Sequence, residues 1–216
     1  MKALIVYAHP EPQSLNGELK NMAVNELEKE GHEVIISDLY KMNFNPVASK
    51  RDFKYMSNND FFSYSEEQKH AYEYDLLSED ILAEVKKLLW ADLVIFQFPL
   101  WWASVPAILK GWFDKVLLFG CIYGGEYGKF EKARLKGKIA IISTTTGASE
   151  ESYKSTGVYG DIEKKILYPI NHGILEYTGL TTLKPFIAYQ VNQNNESRKE
   201  HLNRWRSQLK DIEKLL

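Results

Sequence analysis

Three short stretches, residues 9–16, 99–105 and 145–149, concentrate the groups of this chain that could hold a small molecule. In the first, Ser14 and Asn16 stand where a helix would open. Free N–H groups and the positive end of a helix dipole can hold a phosphate there without a glycine-rich loop. Plain N-capping by Ser14 explains the same residues, and His9 can equally be a strand-end histidine satisfied by backbone. In the second, Pro99 and Leu100 lead into Trp101 and Trp102, which offer planar faces to a flat ligand. A hydrophobic plug under the next helix, or a subunit contact, accounts for them as well. In the third, Thr145, Thr146, Gly147 and Ala148 supply hydroxyls and backbone donors, suited to the negative charge a flavin gains on reduction. An ordinary polar turn is the alternative. Together, a phosphate site, an aromatic face and a donor loop at successive strand ends describe a flavin nucleotide site.

Other chemistries find little support. No G-x-G-x-x-G follows the first apolar run, no G-x-x-x-x-G-K-[ST] is present, and no G-x-S-x-G elbow marks a nucleophilic serine. The five histidines are scattered without metal-ligand spacing, so no metal site is expected. Cys121 stands alone, which excludes an intramolecular disulfide, and reads as a small buried hydrophobe. A formal net charge of −2 gives no reason to expect nucleic acid or an anionic membrane as partner. No apolar run approaches the ~20 residues that span a bilayer. The expectation is a reducing, cytoplasmic setting without membrane insertion.

The elements that must position these loops follow from hydrophobic pattern. Residues 2–8 (KALIVYA) are a continuous apolar run, expected as a strand buried on both faces. After the Ser14 cap, Leu15, Leu19, Ala23 and Leu27 recur at helical spacing until Gly31 stops the helix. Residues 33–37 form a second strand, completing a βαβ unit. Residues 39–65 show no strong period and are expected as a long, partly ordered excursion. Next come a helix from Ser78 to about Trp90, a strand over 92–98 ended by Pro99, and a helix over 107–118 with Pro106 at its first position. A strand over 138–144, a helical pattern over 162–175 and one last strand within 181–189 follow. Leu202, Trp205, Leu209, Ile212 and Leu216 mark a closing amphipathic helix. Such alternation means a three-layer α/β sandwich on a five-stranded parallel sheet, one domain over residues 1–216. Ligands of such sheets bind beyond the carboxyl ends of the strands.

At these residues the chain resembles the NAD(P)H:quinone oxidoreductases of the DT-diaphorase type, within the flavodoxin-like superfamily. The matching stretches are ALIVYAH (3–9), SDLYKMNFNP (37–46), ADLVIFQFPL (91–100) and VPAILKGWF (105–113), then residues 145–147, Tyr153, Gly157, Gly160, Asp161, Pro169 and GIL (173–175). The resemblance implies a flavodoxin-like fold with strand order 2-1-3-4-5 and FAD as cofactor, FMN being the alternative. It implies NAD(P)H as donor, a quinone or similar planar acceptor, two-electron ping-pong transfer, and a homodimer with two sites at its interface. His9, Ser14, Leu15 and Asn16 fall at the pyrophosphate and ribityl region. Pro99, Leu100, Trp101 and Trp102 fall along the isoalloxazine, and Thr145, Thr146, Gly147 and Ala148 on its pyrimidine edge. Arg198 falls near the adenine, with Glu196 close by. Tyr153 matches a catalytic tyrosine over the flavin. The acceptor pocket takes Trp102 from one subunit, with Tyr123 and Tyr127 in the aromatic segment contributed by the other.

Several positions depart from that pattern. Tyr159 stands where the family often has a histidine. A phenol of ordinary pKa ~10 is a poor proton source near neutrality beside an imidazole at ~6.5. Tyr153 is therefore expected to donate hydrogen bonds without a histidine relay, with Tyr159 as its catalytic neighbour. Ala148 replaces a second glycine, Ala103 an aromatic, and Ser63 a glutamine near the adenine. A second role within the resemblance is a flavin-loaded ancillary subunit of a membrane potassium-efflux system; a third keeps the enzyme but changes the acceptor to azo dyes or nitroaromatics.

Overall fold

The computed structural model describes residues 1–191 and 195–213. In chain order the main elements are β1 (Lys2–Tyr7), α1 (Leu15–Lys29), β2 (Glu33–Asp38), α2 (Tyr64–Glu73), α3 (Glu79–Trp90) and β3 (Leu93–Pro99). There follow α4 (Ala107–Val116), β4 (Ile139–Thr145), α5 (Tyr168–Ile170), β5 (Thr181–Thr182), β6 (Phe186–Ala188) and α6 (Asn195–Glu213). All of β3 is buried, and β1 and β4 are buried after their first residue, as continuous rather than alternating apolar runs require. β1 pairs in parallel with β2 and β3, and β3 with β4. The sheet order is β2-β1-β3-β4-β5, the flavodoxin-like order expected.

The last strand departs from expectation by breaking in two. β5 pairs with the start of β4 and β6 with its end. Pro185 lies in the gap, where a residue without N–H cannot continue a ladder. Helices cover both faces. On one, Leu19, Ala23 and Leu27 of α1 and Trp205, Leu209 and Ile212 of α6 bury Ile5, Ile95 and Ile141. On the other, Ile81, Val85 and Leu88 of α3 and Leu109, Trp112 and Phe113 of α4 share a core with Leu4, Phe96 and Ile142. Leu216 of the expected closing helix lies outside the described residues.

Two other expectations are corrected. Pro106 is the N-cap of α4, its carbonyl accepting from Leu109 and Lys110, rather than the first helical residue. The helical pattern over 162–175 is built largely of π-helical turns, Ile162–Leu167 and Asn171–Leu175, flanking the single α turn that holds Pro169. The excursion over 39–65 is irregular apart from a 3₁₀ turn at Lys50–Asp52, and α2 begins at its end. Its buried positions are Glu67, Gln68 and Ala71, so no apolar stripe announces it. It docks by hydrogen bonds instead. The Glu67 carboxylate accepts from Ser57 N (2.8 Å), Ser57 Oγ (2.7 Å) and Asn58 N (3.1 Å). The Gln68 side chain donates to Asp114 O and accepts from Phe119 N.

The segment between β2 and α2 is pinned by a buried charge. Lys115 of α4 is 1% exposed, 2.9 Å from Asp52 Oδ1 and 2.9 Å from Asn45 O. Asp52 also accepts from Tyr64 OH and Ser49 N. Gly111 completes the contact, since a Cβ there would sit 2.3 Å from Pro46 O. Removing one partner of a buried ion pair leaves the other uncompensated, at about 3–5 kcal/mol. Lys115→Met is expected to lower unfolding free energy by about 3 kcal/mol in denaturant titration. Lys110→Met, in the exposed Lys110–Asp114 pair of the same helix, should change it by less than about 1 kcal/mol.

Candidate functional site

Beyond the carboxyl ends of β1, β3 and β4 lies a cleft of about 370 Å³. Its lining is His9, Ser14, Leu15, Asn16, Pro99, Leu100, Trp101, Thr145, Thr146, Gly147, Val191 and Arg198. Three loops distant in sequence thus meet in one place. No carboxylate is among the lining residues, and α1 points its N-terminus at them.

The meeting point is fixed by a buried relay of amides. Gln97 Nε2 donates to Asn16 Oδ1 (2.8 Å), and Asn16 Nδ2 donates to Thr145 Oγ1 (2.8 Å). Gln97 is fully buried and Asn16 and Thr145 are 3% exposed, so these bonds face no competition from water. Gln97 Oε1 and Ser143 Oγ, on residues in register across β3 and β4, have no partner among the described residues. Backbone bonds stitch the loops further: Leu100 N donates to Thr145 O, Thr146 N to Ala188 O, and Val191 N to Thr146 O.

Ser14 caps α1, its hydroxyl accepting from Gly17 N (3.2 Å) and donating to Glu11 O (2.7 Å). The capping role weighed from sequence is therefore present. It leaves the other first-turn N–H groups without intrahelical acceptors. Gly17 is required here, because a Cβ would fall 2.0 Å from Pro12 O as the loop folds over the helix. His9 Nδ1 lies 3.0 Å from Glu11 N and 3.1 Å from both Glu11 O and Ser14 Oγ, so it is tied into the loop in either tautomer. Burial holds the His9 pKa below its usual value, against the opposing pull of the Glu11 backbone. Arg198, from α6, donates to Glu18 Oε2 (2.6 Å) and to Gln13 O (2.6 Å), which sets its guanidinium beside the α1 N-terminus.

Trp101 lines the cleft, and its ring lies 6.2 Å from that of His9. Trp102 does not line it. Trp101 and Ser104 exchange two 3.0 Å backbone bonds around a tight turn in which Trp102 (φ 51°) and Ala103 (φ 54°) are left-handed. The turn thrusts the Trp102 indole outward, fully exposed, so it is no plug under α4. Ala148 is also off the cleft wall, and its N–H is turned to Thr146 Oγ1 (3.3 Å). Gly147 N–H has no acceptor among the described residues. Tyr153 and Tyr159 lie beside this loop. Tyr153 OH is 3.2 Å from Thr146 Oγ1, and its ring contacts those of Tyr159 (5.0 Å) and Tyr189 (6.0 Å). Burial pushes the Tyr189 phenol up to about 12. Tyr123 and Tyr127 line two other cavities, the first with Tyr64 and Asp114, the second with Lys69 and Tyr72. Ser63 precedes α2, and Glu196 is an exposed residue of α6.

Sequence reasoning missed Val191 and Gln97. Val191 carries no chemical signal and reaches the cleft through its backbone bond. Gln97 was detectable: one long polar side chain inside an otherwise apolar buried strand needs partners.

Comparison with known proteins gives the site its context. Residues 1–209 match the family model described as flavodoxin-like fold. The chain is 48% identical over 213 residues to ribosyldihydronicotinamide dehydrogenase (quinone) of Mus musculus, covering 98% of this chain and 91% of the relative. It is 44% identical to NAD(P)H dehydrogenase (quinone) 1 of Rattus norvegicus over 214 residues, 98% of this chain and 77% of that one. A solved structure from Klebsiella pneumoniae, which carries a provisional quinone reductase name, superposes with TM-score 0.93 at 40% identity, covering 98% of this chain and 85% of that one.

Two predictions follow from the geometry. Asn16→Ala strands the Gln97 amide and the Thr145 hydroxyl, at about 2 kcal/mol, so a thermal melt should fall by about 4–8 °C. His9, with its folded pKa below the unfolded ~6.5, contributes stability that is whole above that value and is lost as pH falls through the folded pKa. His9→Gln should flatten the fall in melting temperature just below pH ~6.5, leaving there the share of His201, whose pKa burial also lowers, while the Glu67 and Glu176 carboxyls, held below their usual value, act at lower pH.

Proposed function

The chain belongs to the flavodoxin-like fold family, and from that premise we propose that it is a flavin-dependent NAD(P)H:quinone oxidoreductase. One observation carries the reading at the level of residues. The strand-end loops converge on a single cleft with a helix N-terminus, one arginine, an aromatic wall, donors and no carboxylate. That chemistry suits an anionic, flat, donor-seeking ligand, and a flavin nucleotide is all three. When bound, the flavin supplies the redox chemistry, taking hydride from NAD(P)H and giving it to a quinone in turn.

The residues of the chain do the rest. The α1 N-terminus and Arg198 hold the phosphate end. FAD is proposed over FMN on the family resemblance, the Arg198 guanidinium being already paired with Glu18 Oε2. Pro99, Leu100 and Trp101 form the flat wall. Gly147 N–H and the Thr146–Tyr153 hydroxyl pair are donors set in place beforehand for the charge that develops in the reaction. Preorganised donors cost no rearrangement at that moment. The acceptor is a quinone or a similar planar electrophile, admitted over the exposed edge of Trp101. Homodimer formation is part of the proposal. Tyr123 and Tyr127 stand in cavities apart from the cleft of their own chain, so they meet an acceptor only at the cleft of a second copy. Trp102, bare at a strained turn, has apolar surface that such a copy would cover. Among the described residues no helix is long and apolar enough to cross a membrane, and the proposed setting is the cytoplasm.

The test is direct. Purified protein is expected to be yellow, to release FAD on denaturation, and to oxidise NAD(P)H with a simple benzoquinone. Colourless protein that neither flavin can reconstitute would overturn the reading. Tyr153→Phe is expected to keep its flavin while losing about a hundredfold in kcat, the scale of one lost preorganised donor.

A further inference from the structure

The donor loop after β4 leans on the segment that leaves β6. Thr146 N donates to Ala188 O (2.9 Å), Val191 N to Thr146 O (3.2 Å) and Gln190 N to Ala148 O (3.1 Å). Thr145, Thr146, Gly147 and Val191 all line the cleft, so this seam sets where its donors stand. The segment is not at rest by itself. Gln190 is left-handed at φ 53°, unfavourable for a residue with a side chain unless its surroundings hold it. The preceding carbonyl, of Tyr189, meets α6, where His201 Nε2 lies 2.8 Å away. His201 is 7% exposed, on the helix face that also buries Trp205 and Leu209. Both ring nitrogens have one-way partners. A carbonyl oxygen only accepts and a guanidinium only donates, and Arg204 Nη1 lies 3.3 Å from His201 Nδ1. The ring is therefore neutral, with its proton on Nε2 and a lone pair on Nδ1. A second proton would go to Nδ1, setting an N–H against the guanidinium and one positive charge beside another.

We propose that His201 is a positioning residue of the cleft: its neutral ring holds the 188–191 segment against the donor loop, and its protonation releases that hold. The inference rests on the proposed reductase reading for the identity of the ligand, and on geometry alone for the anchor. Arg204 and Glu200, both of α6, and the Tyr189 carbonyl from the β6 exit act on the ring. Burial is the largest influence and holds the His201 pKa below its usual value; Arg204 adds to it, while the Tyr189 carbonyl and Glu200 oppose. Two carboxylates that α1 turns to α6 are already taken, Glu18 by Arg198 and Glu26 by Arg206. Arg204 also reaches Ile187 O (3.5 Å), so displacing it frees a second tie to β6. Arg198, one turn before His201, lines the cleft, so one helix carries both the anchor and part of the wall. A group buried neutral gives its hold in full above the unfolded value of ~6.5 and loses it as pH falls through the folded pKa. A ligand that needs the segment in place favours the neutral ring. Its affinity therefore falls in the same window, by at most about tenfold per pH unit for one proton.

Anchor and charge are separable. In full-length protein stripped of flavin, His201→Leu is expected to speed hydrogen exchange at the Thr146, Gln190 and Val191 amides about tenfold or more at pH 7.5, leaving β1 and β3 within about twofold. His201→Gln offers a donor that does not titrate, and is expected to restore their protection. FAD binding, read by fluorescence titration at pH 7.5, should weaken about tenfold in His201→Leu and recover most of that loss in His201→Gln. Between pH 7.5 and 5.5 the Kd of the parent should rise about threefold or more beyond that of His201→Gln, a comparison in which the share of His9 cancels. Nitrogen NMR of the histidine rings, the His201 signals assigned by their loss in His201→Gln, should show the Nε2–H tautomer in the parent at pH 7.5. A charged ring or the Nδ1–H tautomer there would overturn the proposal. So would unchanged exchange in His201→Leu, equal losses in the two variants, or parallel pH profiles in the parent and His201→Gln. Should His201→Leu not fold, the ring spectrum and the Gln variant decide. Failure of the parent to bind either flavin would instead strike the reductase reading, while exchange and tautomer still decide the anchor.

Discussion

The arrangement depends on one buried amide. Asn16 enters from the first turn of α1 and reaches both β3 and β4, accepting from Gln97 and donating to Thr145. These are the strands whose ends deliver the aromatic and donor loops, while α1 itself delivers its N-terminus to the same cleft. Without a common tie, three loops of such different sequence would be free to drift relative to one another. A donor displaced by an ångström loses most of its effect on developing charge. The tie is strong because it is dry, since a polar group in a low-dielectric interior is costly to leave unpaired. Burial that would be a liability for an unpartnered asparagine makes this one a fixed point.

Outside that point the architecture divides by the kind of force that holds each part. The sheet and its four large helices are apolar assemblies, and their pattern is plain in the sequence: continuous runs for β1, β3 and β4, stripes for α1, α3 and α6. The segment between β2 and α3 obeys another logic. Its helix, α2, packs Glu67 and Gln68 inward as hydrogen-bonding groups, and Asp52 meets Lys115 in the core. Hydrophobic period is blind to such docking, because each of these side chains reads as solvent-exposed until its partner is known. The same blindness explains the π-helical turns, which differ from α turns by a hydrogen-bond offset that leaves the apolar spacing nearly unchanged.

The site was legible to the same degree and for the same reason. Residues placed by strand ends, such as Pro99, Thr145 and Gly147, could be located from where apolar runs stop. Their convergence could be anticipated from the geometry of parallel sheets. Residues placed by tertiary contact could not. Arg198 lies in the last helix and enters the cleft only because α6 packs along α1, with Trp205 Nε1 bonded to Leu19 O; family resemblance, not pattern, pointed to it. Trp102 shows the reverse failure. Its type and position suggested a wall of the cleft, but two consecutive left-handed residues turn it outward, and nothing in the identity of tryptophan or alanine announces that conformation.

The two halves of the cleft therefore tolerate change differently. The half at the α1 N-terminus is made of backbone amides, a relay of buried side chains and an arginine held at both ends. The buried relay there is expensive to break, since each loss strands a partner away from water. The half beyond the ends of β3 and β4 is made of rings on loops: Trp101 and Trp102 on a four-residue turn, Tyr153 and Tyr159 on a folded-back segment. Ring contacts ask for area and flatness rather than for one exact set of atoms, and exchanging one ring for another strands no buried donor. Tyr159 in place of a histidine, and Ala103 in place of an aromatic, fall in this permissive half. A fold built this way can vary its choice of acceptor while keeping its cofactor chemistry, because the interactions that fix one are not those that admit the other.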